Sequence, residues 1–340
     1  MKSSRLPLRV GVVGIGFGQH VHVPAFRGDA RARVDAICAT SEGRARAVAD
    51  RLSIPRAFGD WRAMVDDPDL DVITVSVPPQ AQAQIALSAV RAGKHLFAEK
   101  PLASTAEQAS AIVDAADASG VVGAMDFEFR AVPAWQRARD IIRSGQLGPI
   151  RCAFVTWRVE TMAYRTAGPG WKLEEGGGTL NLFASHSLDS VLWLFGPVRR
   201  LAAHLQPSTG VEARADLWLE LASGAPVSLS IAADLPGGSG HRVEIYGAAG
   251  SLFLDNRSSD YVAGFELITT NRSQPPVAIE LPRPRAGEDG RILAVGEMAR
   301  RFIDAIEGAD PMTPSLADGL AVQRLLDLAR RAHRSQVWSS

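Results

Sequence analysis

Short apolar runs alternate with longer helical stretches through the first 125 residues, and no other feature constrains the fold as tightly. The runs are "LRVGVVG" (8–14), "RVDAICA" (33–39), "DVITVSV" (71–77), "KHLFAE" (94–99) and "VVGAMDF" (121–127). Between the later ones lie "SEGRARAVADRL", "AQAQIALSAVRAG" and "TAEQASAIVDAADASG". Strands spaced by helices about twice their length read as β-α-β units, hence a doubly wound parallel sheet. Such a sheet is covered on both faces, which is why these strands are apolar throughout rather than alternating.

The rhythm changes near residue 125. "VPAWQRARDIIRSGQLG" reads as an amphipathic helix closed by glycine, and "RCAFVTWRVE" alternates faces. "ADLWLELASGAPVSLSIAAD" turns at Ser223-Gly224 and "HRVEIYGAAGSLFLDN" at Gly247–Gly250, the pattern of antiparallel hairpins. Helices are expected near 293–307 and 315–334, and 282–289 as a surface loop. The fold class is therefore α/β, with residues 1–125 as one domain and 126–340 as a second, α+β domain on a mostly antiparallel open sheet. At 340 residues the chain exceeds what one core usually covers.

Thirty-seven basic side chains balance thirty-seven acidic ones, which argues against nucleic acid or an anionic membrane as the main partner. The two cysteines, Cys38 and Cys152, each sit in an apolar run and read as small core residues in a reducing compartment. No apolar stretch reaches membrane-spanning length, and "MKSSRLP" has no small-residue cleavage site, so a cytoplasmic protein is expected. No spacing of His, Cys and carboxylates matches a metal site. His20 and His22, flanking the first helix, read as structural.

"VGIGFGQHVHVPAF" puts Gly14 and Gly16 at a strand end just before a helix. Backbone without Cβ can approach a pyrophosphate closely, and the helix start offers free N–H groups. A third glycine is expected at position 19, which is Gln19; Gly18 falls one place early. Phe17 completes the loop. At the tip of the second strand, Thr40 and Ser41 stand with Arg44 close behind and no carboxylate. Hydroxyls with an arginine suit a ribose 2′-phosphate, so NADP is expected over NAD.

"HLFAEKPLA" then runs an apolar strand into Glu99-Lys100-Pro101. Ligands of doubly wound sheets lie beyond the carboxyl ends of strands, so Lys100 reaches the crevice. There it can bind a substrate hydroxyl, polarise a carbonyl or serve as base. Glu99 and Pro101 would fix it. Val77 and Pro78, closing the third run, and Gln82, the nearest side-chain donor there, complete the expected cofactor contacts.

The glycine loop, "AEKPLA", "GGGTLNLFASHSLD" and "VEIYGAAGSLFLD", in this order, resemble the Gfo/Idh/MocA family of NAD(P)-dependent oxidoreductases, from Arg9 to about Arg331. The resemblance implies a Rossmann domain followed by a domain whose open sheet commonly makes a dimer interface, giving a homodimer or dimer of dimers. It also implies sugar, cyclitol or polyol substrates, or their keto forms, and Lys100 with His186 as the catalytic pair. Arg130, Trp157, Arg158, Lys172 and Asn181 fall near the expected substrate.

In "GGGTLNLFASHSLDSVLWLFG", Gly176–Gly178 at the helix start free the backbone for a ligand. His186, Asp189 and Ser190 share one helical face, so His186 can exchange a proton near neutral pH with Asp189 orienting it. Many members of the family carry an aspartate four residues before this histidine; that position is Leu182. Asn181 is adjacent, but one helical step turns a side chain by about 100°. Either Lys100 and His186 suffice, or Glu174 or Glu175 enters the site, or redox chemistry has been lost. The leading reading is a dehydrogenase or reductase of a sugar-like secondary alcohol or ketone. The alternative is a non-catalytic NAD(P)-binding sensor.

Overall fold

The N-terminal rhythm folds as β1 (Leu8–Val13), a π turn (Gly18–His22) continuing into α1 (Val23–Arg27), β2 (Ala32–Cys38), α2 (Glu42–Leu52), β3 (Arg56–Phe58) and α3 (Trp61–Val65). It goes on through β4 (Val72–Val75), α4 (Pro79–Arg91), β5 (His95–Ala98), α5 (Ala106–Ser119) and β6 (Gly123–Met125). This computed structural model describes residues 6–166, 170–174, 176–208, 210–282, 284–285 and 287–335. The six strands pair in parallel in the order β3-β2-β1-β4-β5-β6, reversing direction of winding between β1 and β4. All four residues of β4 are buried, as a strand covered on both faces requires. Side-chain caps set the helix starts: Ser41 accepts from the Arg44 N–H and Thr105 from the Gln108 N–H. The half-buried three-residue β3 and the single-turn helix α3 carry too little pattern to be read from sequence.

The second half gives α6 (Pro133–Arg143), β7 (Ile150–Arg158) and α7 (Met162–Thr166), then a π turn (Leu180–Ala184) leading into α8 (Ser185–Phe195). Strands β8 (Val198–Pro207), β9 (Glu212–Leu221), β10 (Pro226–Ala232), β11 (Gly240–Gly247), β12 (Gly250–Asn256), β13 (Glu266–Asn271) and β14 (Gln274–Ile279) follow, then α9 (Gly290–Ile306) and α10 (Leu316–Arg334). Eight strands form one sheet, β14-β13-β12-β11-β7-β10-β9-β8, antiparallel except where β10 meets β7. Both expected hairpins are present, β9–β10 and β11–β12. Along β9 burial alternates residue by residue, so one face is core and the other open. The open face carries Phe154 and Trp218, 40% and 49% exposed, and a ring series Phe154–Tyr246–Phe253 at 6.1 and 5.8 Å.

The chain divides into two compact units, Met1–Glu128 with Glu288–Gln323, and Phe129–Gly287 with Arg324–Ser340. The division expected at 125/126 omits the return of α9 to the first unit. The reason is aromatic packing: Phe302 of α9 meets Phe26 and Phe97 with ring centroids at 6.4 and 5.7 Å. Ser315 bridges Ala124, and a Cβ on Gly123 would lie 2.3 Å from Leu316, so β6 is narrow there to admit the next segment. No helix among the described residues is long and apolar enough to cross a membrane.

Candidate active site

In the first unit, four strand ends hand hydrogen bonds along one edge. Gly14 N–H donates to Cys38, Ser76 N–H to Val13, Glu99 N–H to Val75 and Asp126 N–H to Ala98, at 2.8–3.0 Å. Gly14 has φ +114°, and a Cβ there would sit 2.1 Å from the Ser76 carbonyl oxygen, so only glycine lets β1 and β4 close at this point. At Gly16 a Cβ would meet nothing within 4 Å. The helix that follows starts without a side-chain cap, leaving its first N–H groups for a ligand. A bare loop and an uncapped helix start fit a dinucleotide pyrophosphate. Gly18 carries the packing expected of the third glycine: its Cβ would lie 3.0 Å from Val12 Cγ1. Arg44 Nη1 donates to Thr40 Oγ1 at 2.9 Å on the exposed tip beyond β2, while Ser41 is engaged as the α2 cap. Phe17, Val77 and Pro78 are half-buried beside this edge.

Beyond β5, Lys100–Pro101 is a cis peptide. Gln82, expected to reach a cofactor, instead directs its buried amide nitrogen inward to the carbonyl oxygens of Glu99 and Pro101, the latter at 2.7 Å. It braces the Glu99–Pro101 turn from beneath. The Lys100 N–H donates to Glu99 Oε2 at 3.2 Å.

Behind this turn lies a cluster that sequence spacing did not reveal. The fully buried His22 places Nε2 3.4 Å from Glu99 Oε1 and 3.4 Å from Asp126 Oδ2, while Nδ1 pairs with Thr74 Oγ1. The three ligand-type atoms lie within 4.8 Å of one another, a convergence that the absence of metal-like spacing did not anticipate. A proton is enough to hold them, as an imidazolium between two carboxylates. Burial alone would push His22 down, but Asp126 and Glu99 carry it up to about 9. Burial, reinforced by the Glu99 charge, pushes Asp126 up to about 7. Burial opposes ionisation of Glu99 as well, yet His22 and then Lys100 hold it below the usual carboxylate range. Glu128, buried close by, is raised well above it by burial and the Asp126 charge. One signal was available: Ala98 of β5 pairs with Met125 of β6, so the residues just past those ends, Glu99 and Asp126, must be neighbours.

In the second unit, His186 is 3% exposed and packs against Phe129 and Trp157 at 5.1 and 6.1 Å between ring centroids. Asp189, expected to orient it, accepts from Arg130 Nε at 3.0 Å and Nη2 at 2.5 Å. Arg130, expected at the substrate, is thus part of a buried bidentate ion pair. Trp157 is likewise internal, 3% exposed and stacked on His241 at 4.2 Å and 5°. His241 was not anticipated: both its nitrogens are buried without a hydrogen-bond partner, and burial pushes it down to about 3. Arg158 donates to Ser230 at 3.3 Å. Lys172 is exposed in a short 3-10 turn, and Glu174 is exposed. Glu175 lies outside the described residues.

The glycine run also differs from expectation, since a Cβ on Gly178 would lie 2.8 Å from the Glu212 carboxyl carbon; that space is filled by protein. The π turn alters the register argument at Leu182. Its ladder joins Ser185 N–H to Leu180 O, five residues apart, so a count of four residues back from His186 no longer marks one regular helical turn. Asn181 is buried, donating to Gly176 O at 3.0 Å and accepting from Arg330 Nη2 at 2.7 Å.

A parallel sheet wound in this order, with a glycine loop at its edge and an open antiparallel sheet following in the chain, defines a class of nucleotide-dependent oxidoreductases. The profile described as oxidoreductase family, NAD-binding Rossmann fold, matches residues 8–127, and the GFO/IDH/MocA C-terminal domain matches residues 135–253. The chain belongs to the Gfo/Idh/MocA family. It is 32% identical over 355 aligned residues to an uncharacterized oxidoreductase of Synechocystis sp., covering 97% of this chain and 95% of that protein. It is 26% identical to levoglucosan dehydrogenase of Pseudarthrobacter phenanthrenivorans, over 97% of both. A structure of levoglucosan dehydrogenase with NADH and levoglucosan superposes with a TM-score of 0.87 at 26% identity, covering 98% of each chain.

Proposed function

We propose that this protein is an NAD(P)-dependent oxidoreductase that moves hydride between the nicotinamide and a secondary alcohol or ketone carbon of a sugar, cyclitol or similar polyol. The observation that carries the reading is Lys100, set by a braced turn at the carboxyl edge of the nucleotide-binding sheet. The nicotinamide, when bound, supplies the hydride acceptor or donor. Lys100 binds the substrate oxygen and stabilises the charge that develops on it. His186 gives or takes the hydroxyl proton. Arg130 is engaged by Asp189, and Lys100, His186 and the exposed Lys172 are the proposed substrate contacts.

The levoglucosan dehydrogenase relative supports a carbohydrate substrate. Arg44 and Thr40 beyond β2, with no carboxylate at the strand tip, support NADP as the preferred cofactor, with NAD accepted. The open face of the eight-stranded sheet supports pairing of two copies. A sensor without turnover is the second reading, favoured by Leu182. Reduced-cofactor absorbance with a panel of ketosugars and aldoses tests the proposal. Wild type is expected to turn over at least one of them. Lys100→Ala is expected to lose turnover by about a thousandfold or more while cofactor affinity changes little. Silence across the panel with tight cofactor binding would favour the sensor, and an active Lys100→Ala would contradict the catalytic reading.

A further inference from the structure

We propose that His22 is a positioning residue for Lys100. Its imidazolium, shared between Glu99 and Asp126, holds the Glu99 carboxylate so that the carboxylate's other oxygen fixes the Lys100 backbone, and deprotonation of His22 releases that brace. The inference rests on the reading of Lys100 as the group that handles the substrate oxygen.

The geometry runs in one direction. Thr74 on β4 takes one ring nitrogen of His22 and so fixes which nitrogen faces the carboxylates. The other nitrogen lies 3.4 Å from Glu99 Oε1. Glu99 Oε2 accepts the Lys100 N–H at 3.2 Å, and Gln82 secures the carbonyls on either side of the lysine. Phe17 and Phe97 enclose the ring edge-on at 5.6 and 5.4 Å, keeping water from competing. Neutral imidazole would leave two carboxylates facing each other in a buried space, and Coulomb repulsion at low dielectric would drive them apart or protonate one. Displacement withdraws Glu99 from the turn, whereas protonation of Asp126, the more easily protonated of the two, leaves Glu99 in place.

The groups that act on His22 come from every side. Asp126 follows β6 and Glu99 follows β5; Lys100 acts on Glu99, and both carboxylates act on the buried Glu128. From α9, Arg291 lies over the Phe17 ring at 6.0 Å. The carboxylates outweigh burial and keep the imidazole charged up to about pH 9.

Selective 15N labelling of lysine and histidine tests this without turnover, because the chain has only four lysines and seven histidines. Lys100→Arg identifies the Lys100 amide by its loss. In cofactor-free wild type, the Lys100 amide and the His22 ring nitrogens are expected to titrate together with a midpoint near 9. Asp126→Asn removes one carboxylate and is expected to move both midpoints to lower pH together. In His22→Gln the Lys100 amide is expected not to titrate in that range. A neutral His22 ring at neutral pH, a Lys100 amide indifferent to His22, or one equivalent of bound divalent metal in the purified protein would each overturn the proposal.

In turnover, wild-type kcat is expected to fall as pH rises through the same midpoint, and His22→Gln to lower kcat about tenfold with that limb gone. KM for the cofactor should hold within about twofold. Partial recovery by His22→Lys, which restores the charge, is expected for positioning and not for packing alone. The two readings fail separately: a coupled amide with a fully active Lys100→Ala would sink the catalytic reading, whereas an uncoupled amide sinks the brace whatever the activity.

Discussion

A polar residue at a strand end can turn outward to a ligand or inward to its own protein, and sequence spacing does not say which. Glu99 and Lys100 stood out because a charged pair followed by proline interrupts an apolar strand, and the triplet does lie just past the end of β5, with Glu99 turned inward to His22. Gln82, Arg130 and Trp157 were legible only as neighbours of a site; their side chains serve carbonyls, Asp189 and His241 instead. His22 and Asp126 were missed because 104 positions separate them, and only strand order and register bring them together. The Arg130–Asp189 pair yields a prediction at this scale. Removing one partner of a buried pair strands the other charge, so Asp189→Ala is expected to cost about 3–5 kcal/mol. Arg130→Met with Asp189→Leu is expected to recover most of that. Urea unfolding followed by tryptophan fluorescence measures both, since Trp193 lies 5.8 Å from Arg130. A single variant as stable as wild type would show that the pair carries no structural load.

Elements with a full periodic pattern were read correctly, and those without it were not. The long strands of the nucleotide-binding sheet and both glycine-turn hairpins follow from apolar runs and turn residues. The π turn before α8 was invisible, because its widened ladder inserts a residue without changing the pattern of apolar positions. That insertion breaks the four-residue count that links Leu182 to His186. The open sheet face is the other element-level result. Alternation along β9 leaves Trp218 outside at 49% exposure, with Phe154 on the same sheet at 40%. Large apolar side chains gathered on one face mark an interaction surface. Trp218→Arg is therefore expected to shift the protein towards monomer in sedimentation velocity, with wild type sedimenting as a dimer or larger. An unchanged oligomer would place the interface elsewhere.

Across the whole molecule, the division into nucleotide-binding and sheet-based parts was legible, while the return of α9 to the first unit was not, because it depends on aromatic contacts between distant segments. The two units also carry opposite proton linkages. His22 rises from 6.5 to about 9 on folding, so its stabilisation is complete below 6.5 and is lost as pH climbs through 9. Asp126, raised from 3.8 to about 7, acts with the same sign. His241 falls from 6.5 to about 3, so its contribution is present above 6.5 and lost as pH drops towards 3. Calorimetry across pH is expected to show Tm falling on both sides of a maximum. His22→Gln should flatten the alkaline side and His241→Phe the acid side; the reverse assignment would refute the linkage.

The most direct test of the central claim follows an isotope. Reduced cofactor carrying deuterium at both C4 positions of the nicotinamide, supplied with a ketosugar that the enzyme turns over, is expected to leave one deuterium bound to the new carbinol carbon of the product. Product formed with the label absent from carbon, or label lost to solvent, would contradict hydride transfer and with it the account of Lys100 and His186.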